Sequence, residues 1–471
     1  MRRTILLAAS LLLGSNLFAG TGRVVIVNAD LPGVGFNDAS RVEPVGGNPG
    51  VTLGQQRFNV YVKAADRWSA ALDTNVDIRV RGSWADLECS ETGAVLGQTS
   101  VLSWSANFPN APRTDIWYPA ALANKFAGSD LTSAQDDMFI QFNSAIDNGT
   151  CLGNRSWYYG FDGNEGNDDS LYHVVLHEIA HGLGMSSRAM TEYFQNRPSV
   201  FDLHTLDTTI GLRWDQMTQQ QREVSVTNSG HLAWDGDNVT SRAALFLQNA
   251  TVFTVTQPSP VSRNYPFGTA TFGPSVSGTP MSGRIVQAAD DPNETGPATT
   301  DGCTALTNAA SISGNIALID RGTCSFVEKA KNAQAAGAVG VIIADNRTAC
   351  VPPAMGASGP ASDVLIPVIS ISQNDGIALR AQSEEIRGGI RVDPSRLAGA
   401  SDQGYVLLYA PCEVAGGSSK HHWDVSASPS LLMEPFINPD LEDSLDLSIF
   451  QLMDIGWTQP AVRTGRRFLR R

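Results

Sequence analysis

The sequence has little positive charge and few charged residues of either sign. Charged residues make up 17% of the 471 residues, and 33 Lys and Arg face 47 Asp and Glu, a formal net charge of −14. No basic stripe interrupts this acidic excess, so we expect no nucleic-acid partner. The hydrophobic fraction of 42% excludes general disorder, and 44 Gly with 24 Pro exclude an all-helical or coiled-coil protein.

Long hydrophobic runs are also absent. The two longest, Ile5 to Leu13 and Ala335 to Ala344, are too short to span a bilayer. The sequence therefore predicts no transmembrane anchor.

The first of these runs has the pattern of a secretory signal. It follows Arg2 and Arg3 and precedes a small-residue site near Ala19. We expect residues 1–19 to be removed and the mature chain to be secreted, either outside the cell or into a periplasm.

Cysteines are few, and none of the six forms a C-x-x-C pair, which disfavours metal thiolates. An even number in an exported chain favours disulfides, although the sequence leaves their connectivity open. Proximity along the chain favours Cys89 with Cys151 and Cys303 with Cys324, which leaves Cys350 with Cys412.

Hydrophobic periodicity predicts alternating β and α elements before residue 184. The predicted elements are a strand at Val24 to Val27, a helix over 57–71, a strand at Val76 to Val80, a strand at Asp137 to Ser144 and a helix over 169–183. The last helix is the most strongly periodic, and Gly184 follows it as a stop signal. These elements predict an α+β fold.

The last of these helices contains an H-E-x-x-H motif. His177 and His181 stand at i and i+4, so both imidazoles project from one face and can share one Zn²⁺ at about 2.0 to 2.1 Å. Glu178 lies beside them and is the expected general base, taking a proton from the attacking water and returning it to the leaving amine. The motif predicts metal-assisted hydrolysis of a peptide bond.

A catalytic zinc site needs a third protein ligand. His173 shares the helix face, but the eight residues to His181 rise about 12 Å, too far for both to bind one ion. We therefore expect His173 to serve in packing. An acidic ligand, Asp202 or Asp207, is one alternative for the third position, and we expect His204 and His231 to be structural.

The sequence H-E-x-x-H-x-x-G, which ends at Gly184, resembles the metzincin metalloproteases. That resemblance implies a third histidine three residues after the glycine, where this chain has Ser187. Downstream, His422 and Trp423 precede Met433 in an L-M-x-P turn, which resembles leishmanolysin-type metzincins with an insertion before the third ligand. The resemblance implies His422 as third ligand and Met433 as the Met-turn residue, with His421 as the alternative ligand.

The interval between the second and third ligands contains a second resemblance. Asn315 to Asn346 resembles the protease-associated (PA) domain of secreted proteases, a non-catalytic α/β unit that is thought to influence substrate access. The physical pattern agrees: a buried strand at Ile316 to Ile319, a helix at Phe326 to Ala336 and a parallel return strand at Val339 to Ile343. A folded insert with neighbouring ends adds little loop-closure cost.

Weaker signals concern calcium and substrate binding. An acidic loop could hold Ca²⁺, although its spacing misses the EF-hand pattern; its acidic residues are Asp162, Glu165, Asp168 and Asp169. A substrate chain could pair with an edge strand, for which Asp137 to Ser144 is the candidate.

The sequence therefore predicts a secreted zinc endopeptidase with a metzincin-like catalytic domain interrupted by a PA domain. The expected segments are a signal peptide 1–19, the first catalytic part 20–257, the inserted domain 258–405, the second catalytic part 406–459 and a solvated basic tail 460–471. Its partners would be protein or peptide substrates. The alternative is a secreted peptide- or glycan-binding protein that uses the PA domain, with a structural or weakly active zinc site.

Overall fold

The computed structural model describes residues 20–460 except positions 150, 280, 295, 350 and 439. The predicted signal peptide and residues 461–471 of the basic tail lie outside the described residues. In the described part, the chain has a mixed α/β architecture, and none of its helices has the length and apolar character needed to cross a membrane.

The strands and helices alternate along most of the chain. The strands are β1 Val24–Asn28, β2 Ile78–Ala85, β3 Gly97–Val101, β4 Trp104–Ser105, β5 Tyr118–Pro119, β6 Met138–Asn143, β7 Trp157–Tyr158, β8 Asp169–Ser170, β9 Thr205–Asp207, β10 Leu212–Arg213, β11 Leu232–Trp234, β12 Asn249–Gln257, β13 Arg263–Tyr265, β14 Gly268–Thr269, β15 Ser282–Gln287, β16 Ile316–Asp320, β17 Gly340–Ala344, β18 Val368–Ile371, β19 Arg387–Leu397 and β20 Val406–Leu407. The helices are α1 Leu53–Ala71, α2 Ala120–Ala127, α3 Leu171–Leu183, α4 Gln219–Ser225, α5 Asp237–Thr240, α6 Ala243–Phe246, α7 Ala309–Ile312, α8 Phe326–Ala335, α9 Gln373–Arg380 and α10 Asp446–Asp454.

A four-stranded sheet with the order β1-β2-β6-β3 supports α1 and α3. Its first three strands are parallel, and β3 runs antiparallel to β6. The edge-strand prediction for Asp137 to Ser144 is therefore wrong, because that segment is β6, which is bonded on both sides. The actual edge strand next to β6 is β3, whose GQTSV sequence is polar enough to tolerate an open edge.

The predicted helices are present, with shifts at their first residues. α1 begins at Leu53 because Thr52 caps it, accepting a hydrogen bond from the backbone N of Gln55. α3 begins at Leu171 rather than 169 because Asp169–Ser170 forms β8, which pairs with β7. It ends before Gly184, whose φ of 132° suits glycine.

The middle of the chain forms an eight-stranded sheet with the order β13-β12-β19-β15-β16-β17-β18-β14. Strands β15 to β18 are parallel neighbours, with β16 and β17 in the parallel pairing that the sequence predicts. Two hydrophobic clusters are built from this sheet and its neighbours, one around Phe253 and Ile390 and the other around Val341 and Ala330. β12 lies ahead of the expected boundary at residue 258 yet belongs to this sheet.

The largest hydrophobic cluster draws on both sides of this middle unit. It contains residues from Val24 to Leu247 and from Val406 to Trp457. The chain leaves this hydrophobic core and returns to it at one place. There Asn249 is paired with Leu397, and the backbone N of Ala398 donates to the oxygen of Gln248 at 2.9 Å. β20 then pairs with β11, so the returning chain adds to the sheet that the departing chain started.

Two disulfides join the cysteines that sequence proximity pairs. Cys89 is bonded to Cys151 and Cys303 to Cys324. The third expected pair includes Cys350, which lies outside the described residues.

Candidate metal centre

Two tryptophan side chains from distant parts of the chain donate hydrogen bonds to backbone oxygens of helix α3. Nε1 of Trp68 donates to the Leu176 oxygen at 3.1 Å, and Nε1 of Trp457 donates to the Leu183 oxygen at 2.9 Å. Gly182 lets the helix approach β6, since a Cβ there would lie 2.1 Å from the sulfur of Met138. These contacts fix the position of α3 against β6 and the C-terminal segment.

The structure brings together His177, His181 and His422. The Nε2 atoms of His177 and His181 are 3.1 Å apart, and each lies 3.2 Å from Nε2 of His422. Within the described residues they are the group of three metal-ligand side chains whose ligand atoms converge. Residues 241 positions apart in the sequence therefore present three nitrogens to one point.

The opposite ring nitrogen of each histidine contacts a backbone carbonyl. Nδ1 of His177 lies 2.8 Å from the Leu432 oxygen, Nδ1 of His181 lies 2.8 Å from the Met185 oxygen, and Nδ1 of His422 lies 2.8 Å from the Ser418 oxygen. A carbonyl only accepts, so each Nδ1 carries the proton and each Nε2 presents a lone pair.

Three lone pairs that face one another cannot hydrogen-bond among themselves, and a shared cation resolves their repulsion. Three nitrogens at about 2.0 to 2.1 Å from a tetrahedral ion lie about 3.3 Å apart, close to the separations of 3.1 and 3.2 Å found here. The carbonyl contacts are the outer-shell partners that zinc-binding histidines use. The residues present therefore fit a zinc ion.

Burial keeps these imidazoles neutral, the form that binds a metal. It lowers the pKa of His177 to about 3, with a further contribution from His181, and it lowers the pKa of His181 to about 4. Burial also holds the pKa of His422 well below its ordinary value of 6.5.

His422 reaches α3 through strand-like pairing of its segment with the chain after β20. The backbone N of Lys420 donates to the Tyr409 oxygen, and the backbone N of Tyr409 donates to the His422 oxygen, both at 2.8 Å. The backbone N of Trp423 donates to the Met433 oxygen at 2.8 Å. The chain that carries His422 is therefore tied to β20 on one side and to the Met433 turn on the other.

The turn at Met433 is buried and contacts the histidine group through its backbone. Met433 is fully buried, and the preceding oxygen, that of Leu432, is the acceptor for His177. Glu434 closes the turn, accepting from the backbone N of Leu431 at 2.8 Å and from Nδ2 of Asn438 at 2.9 Å.

Glu178 is buried against the edge strand β3. The hydroxyl of Thr99 donates to its Oε2 at 2.6 Å. A Cβ on Gly97 would lie 3.0 Å from Oε1, so β3 passes close over this carboxylate. Burial raises the pKa of Glu178 to about 7 against the opposing effect of the Thr99 hydrogen bond.

The competing ligand candidates lie elsewhere. His421 packs edge-on against Phe201 with ring centroids 5.7 Å apart, outside the histidine group. Oδ1 of Asp202 forms an ion pair with Lys420, and Asp207 accepts hydrogen bonds from Asn228. His173 is buried beside Tyr172, as expected of a packing residue.

Among the described residues, the carboxylates of the acidic loop do not converge into a group of three that could hold a calcium ion. Asp162 bonds the hydroxyl of Tyr158, and Asp169 pairs with Arg155. No third carboxylate converges on either of them in the described part of the chain.

Sequence reasoning missed Thr99 and Gly97. The stretch GQTSV has few β-branched or large hydrophobic residues, and it lies 79 residues before Glu178. Nothing in the linear pattern links it to the zinc motif. The link exists only because β3 pairs with β6 beneath α3.

Comparison with known proteins identifies the middle of the chain. Residues 281–379 match the PA domain family. A stretch of 75 residues is 49% identical to an aminopeptidase, YwaD, of Bacillus subtilis, covering 16% of each chain. One of 82 residues is 39% identical to the human ER degradation-enhancing alpha-mannosidase-like protein 3, covering 16% of this chain and 9% of that one.

These relatives match only part of the chain. One is named an aminopeptidase and the other an alpha-mannosidase-like protein, so their names denote different activities. A solved zinc aminopeptidase from Bacillus subtilis is 21% identical over 40% of this chain and 39% of its own, with a TM-score of 0.23, too low for any argument from fold. The three histidines of the metal centre lie outside 281–379. Within this chain, residues 281–379 are a PA domain.

Proposed function

We propose that this protein is a secreted, zinc-dependent endopeptidase with a metzincin-like catalytic unit interrupted by a PA domain. The observation that carries the proposal is the convergence of three Nε2 lone pairs at 3.1 to 3.2 Å, each fixed by a carbonyl at its Nδ1. A buried glutamate follows the first of these histidines. Peptidases among the partial relatives are consistent with this assignment.

The roles of the residues follow from their chemistry. His177, His181 and His422 would hold the zinc, and Met433 would support them from beneath as the Met-turn residue. When bound, zinc supplies Lewis-acid chemistry that polarises a carbonyl and lowers the pKa of water toward 7. Thr99 holds Oε2 of Glu178, so we assign Oε1 to accept the proton of the attacking water and deliver it to the leaving nitrogen.

The open edge of β3 is the proposed binding place for a substrate chain. An extended peptide that adds to a sheet edge gains main-chain hydrogen bonds at every second residue. β3 also places Thr99 against Glu178, so a peptide on this edge would lie beside the proposed base. This geometry supports cleavage within a chain.

The alternative is a peptide- or glycan-binding protein that uses the PA domain. A purely structural zinc site has no need of a buried carboxylate next to its first ligand. The position of Glu178 therefore favours the enzyme.

The test compares zinc content and casein cleavage in four proteins. We expect His422→Ala to lose zinc and activity, and Glu178→Gln to keep zinc while kcat falls about 10² to 10⁴-fold. His231→Ala, which removes an exposed histidine, is the matched control and should behave as wild type. Retained zinc in His422→Ala, or cleavage that survives in Glu178→Gln, would contradict the assignment.

A second measurement separates an endopeptidase from an aminopeptidase. Peptides with an acetylated N-terminus should be cleaved internally at rates similar to those of free peptides. Cleavage restricted to the first residue of free peptides would show an aminopeptidase instead.

A further inference from the structure

A fully buried ion pair joins the segment after α3 to the segment that carries His422. Nζ of Lys420 lies 2.9 Å from Oδ1 of Asp202, and neither side chain is exposed. Lys420 stands two residues before His422. Asp202 lies in a short 3-10 turn, Val200–Leu203, which follows α3 in the chain.

Both partners are saturated with hydrogen bonds. Lys420 also donates to the oxygens of Ala189 and Met190 at 3.1 and 3.3 Å. The other oxygen of Asp202, Oδ2, accepts from the backbone N of Ser199 at 2.7 Å and from the hydroxyl of Ser187 at 3.0 Å. All side-chain acceptors of Lys420 thus lie in the segment 189–202.

The main chain of Lys420 is fixed from the opposite side. Its backbone N donates to the Tyr409 oxygen, and its φ of 72° is a left-handed conformation that is unfavourable for a side chain of this kind. Lys420 therefore joins the segment after α3 to the chain around Tyr409. The first segment directly follows the helix that carries His177 and His181, and Lys420 itself stands two residues before His422.

Stability alone gives a weak account of such a pair. Desolvation makes a buried ion pair costly, and a well-packed hydrophobic pair is often as stable or more so. Directional hydrogen bonds, in contrast, specify one relative position of the two segments. The pair is thus suited to geometry rather than to net stability.

We propose that Lys420 and Asp202 are positioning residues that set the placement of His422 relative to His177 and His181, and with it the zinc affinity. The proposal rests on the proposed function only in requiring that these histidines bind zinc. Ser187 stands where the metzincin pattern has its third histidine, and here it donates to Asp202 instead. The segment after α3 thereby holds a distant ligand rather than supplying one.

The experiment measures zinc affinity of the full chain by competition with a chromophoric chelator. The test variant is Lys420→Met/Asp202→Asn, which removes both charges and leaves an oxygen to accept from Ser199. The matched control is Arg57→Met/Asp147→Asn, which removes another largely buried ion pair, with a 3.0 Å contact between side chains that are 6% and 21% exposed. Unfolding in urea of the zinc-free proteins reports stability separately.

We expect the test variant to bind zinc about 10 to 100-fold more weakly and the control to bind as wild type, even where their losses of stability are equal. The d–d absorption spectrum of the cobalt-substituted test variant should also change, because His422 moves. The single variant Lys420→Arg, which keeps the positive charge opposite Asp202, should bind zinc more tightly than the double variant.

Two results would overturn the proposal, and they are distinguishable. If His422→Ala loses zinc while the double variant binds it with wild-type affinity and spectrum, the ion pair is only structural and the proposed function stands. If wild type binds no zinc, or His422→Ala binds it fully, the proposed function fails and the positioning role fails with it.

Discussion

The hydroxyl of Thr99 is the contact through which a residue outside the zinc motif reaches the proposed base. A hydrogen bond to a charged group is worth about 1.5 to 3 kcal/mol, and its loss would free the rotamer of Glu178. We expect Thr99→Val to lower kcat about tenfold or more with zinc content unchanged. Thr99→Ser restores the hydroxyl and should recover most of kcat, and equal losses in both variants would show that only packing matters.

Glu434 provides a prediction about pH at the same scale. Burial, opposed by the Leu431 hydrogen bond, raises its pKa from the ordinary value of 4.5 to about 7. Between those pH values the folded state holds a proton that the unfolded chain has released, so stability falls as the pH rises through this interval.

Glu434→Gln removes this titration, and its amide oxygen can still accept from the backbone N of Leu431. We expect the unfolding free energy of the variant minus that of wild type to be larger at pH 8 than at pH 5, because only wild type loses this contribution to stability as the pH rises. Urea titrations at both pH values measure the difference. A difference that is the same at pH 5 and pH 8 would show that Glu434 does not titrate in this range.

Among the strands, β3 contributes most to the site, because it contacts Glu178. β3 pairs with β6 along one of its edges and leaves the other edge open. Its polar sequence suits this exposed position. Gly97 allows the strand to pass within contact of Glu178, where an added Cβ would lie 3.0 Å from Oε1 and 3.1 Å from the ring of Phe142.

We expect Gly97→Ala to displace the carboxylate by a few tenths of an ångström and to lower kcat about tenfold, since small misplacements of reacting groups are costly. Zinc affinity should stay within twofold of wild type, because no ligand contacts Gly97. Gly93→Ala, with only the hydroxyl of Ser90 near its Cβ, is the matched control. Unchanged kcat in Gly97→Ala would argue against a base at Glu178 in this conformation.

In the whole molecule, the insert 249–397, which contains the PA domain, joins the proposed catalytic unit through two neighbouring chain segments. Asn249 is paired with Leu397, and Ala398 is bonded to Gln248, so the two ends of the insert are neighbours. The buried residues of the hydrophobic cluster around the metal centre come from both flanking segments, and Leu397 at the end of β19 packs against them.

We expect that replacing residues 249–397 by two glycines leaves a cooperatively folded protein that binds one zinc ion. The entropic cost of loop closure rises with the logarithm of loop length, so a short connection between neighbouring ends adds no closure cost relative to the insert. Near-UV circular dichroism and zinc stoichiometry check this. A folded deletion variant that no longer binds zinc would show that the PA unit helps to build the ligand arrangement.

The sequence by itself determined the elements that follow from local physics. The spacing of His177 and His181 places both on one face of α3 because a helix repeats every 3.6 residues. The run Ile316 to Ile319 and its return strand form parallel neighbours because both are apolar on two faces. Proximity also pairs four of the cysteines.

Tertiary structure decided which distant residues complete the site. His421 and His422 are adjacent in the sequence, and only the pairing of their segment with Tyr409 turns His422 to α3 and His421 to Phe201. The edge strand was misplaced because sheet order does not follow sequence order. Thr99 and Lys420 act across 79 and 218 residues, and contacts of that range arise only when the core packs.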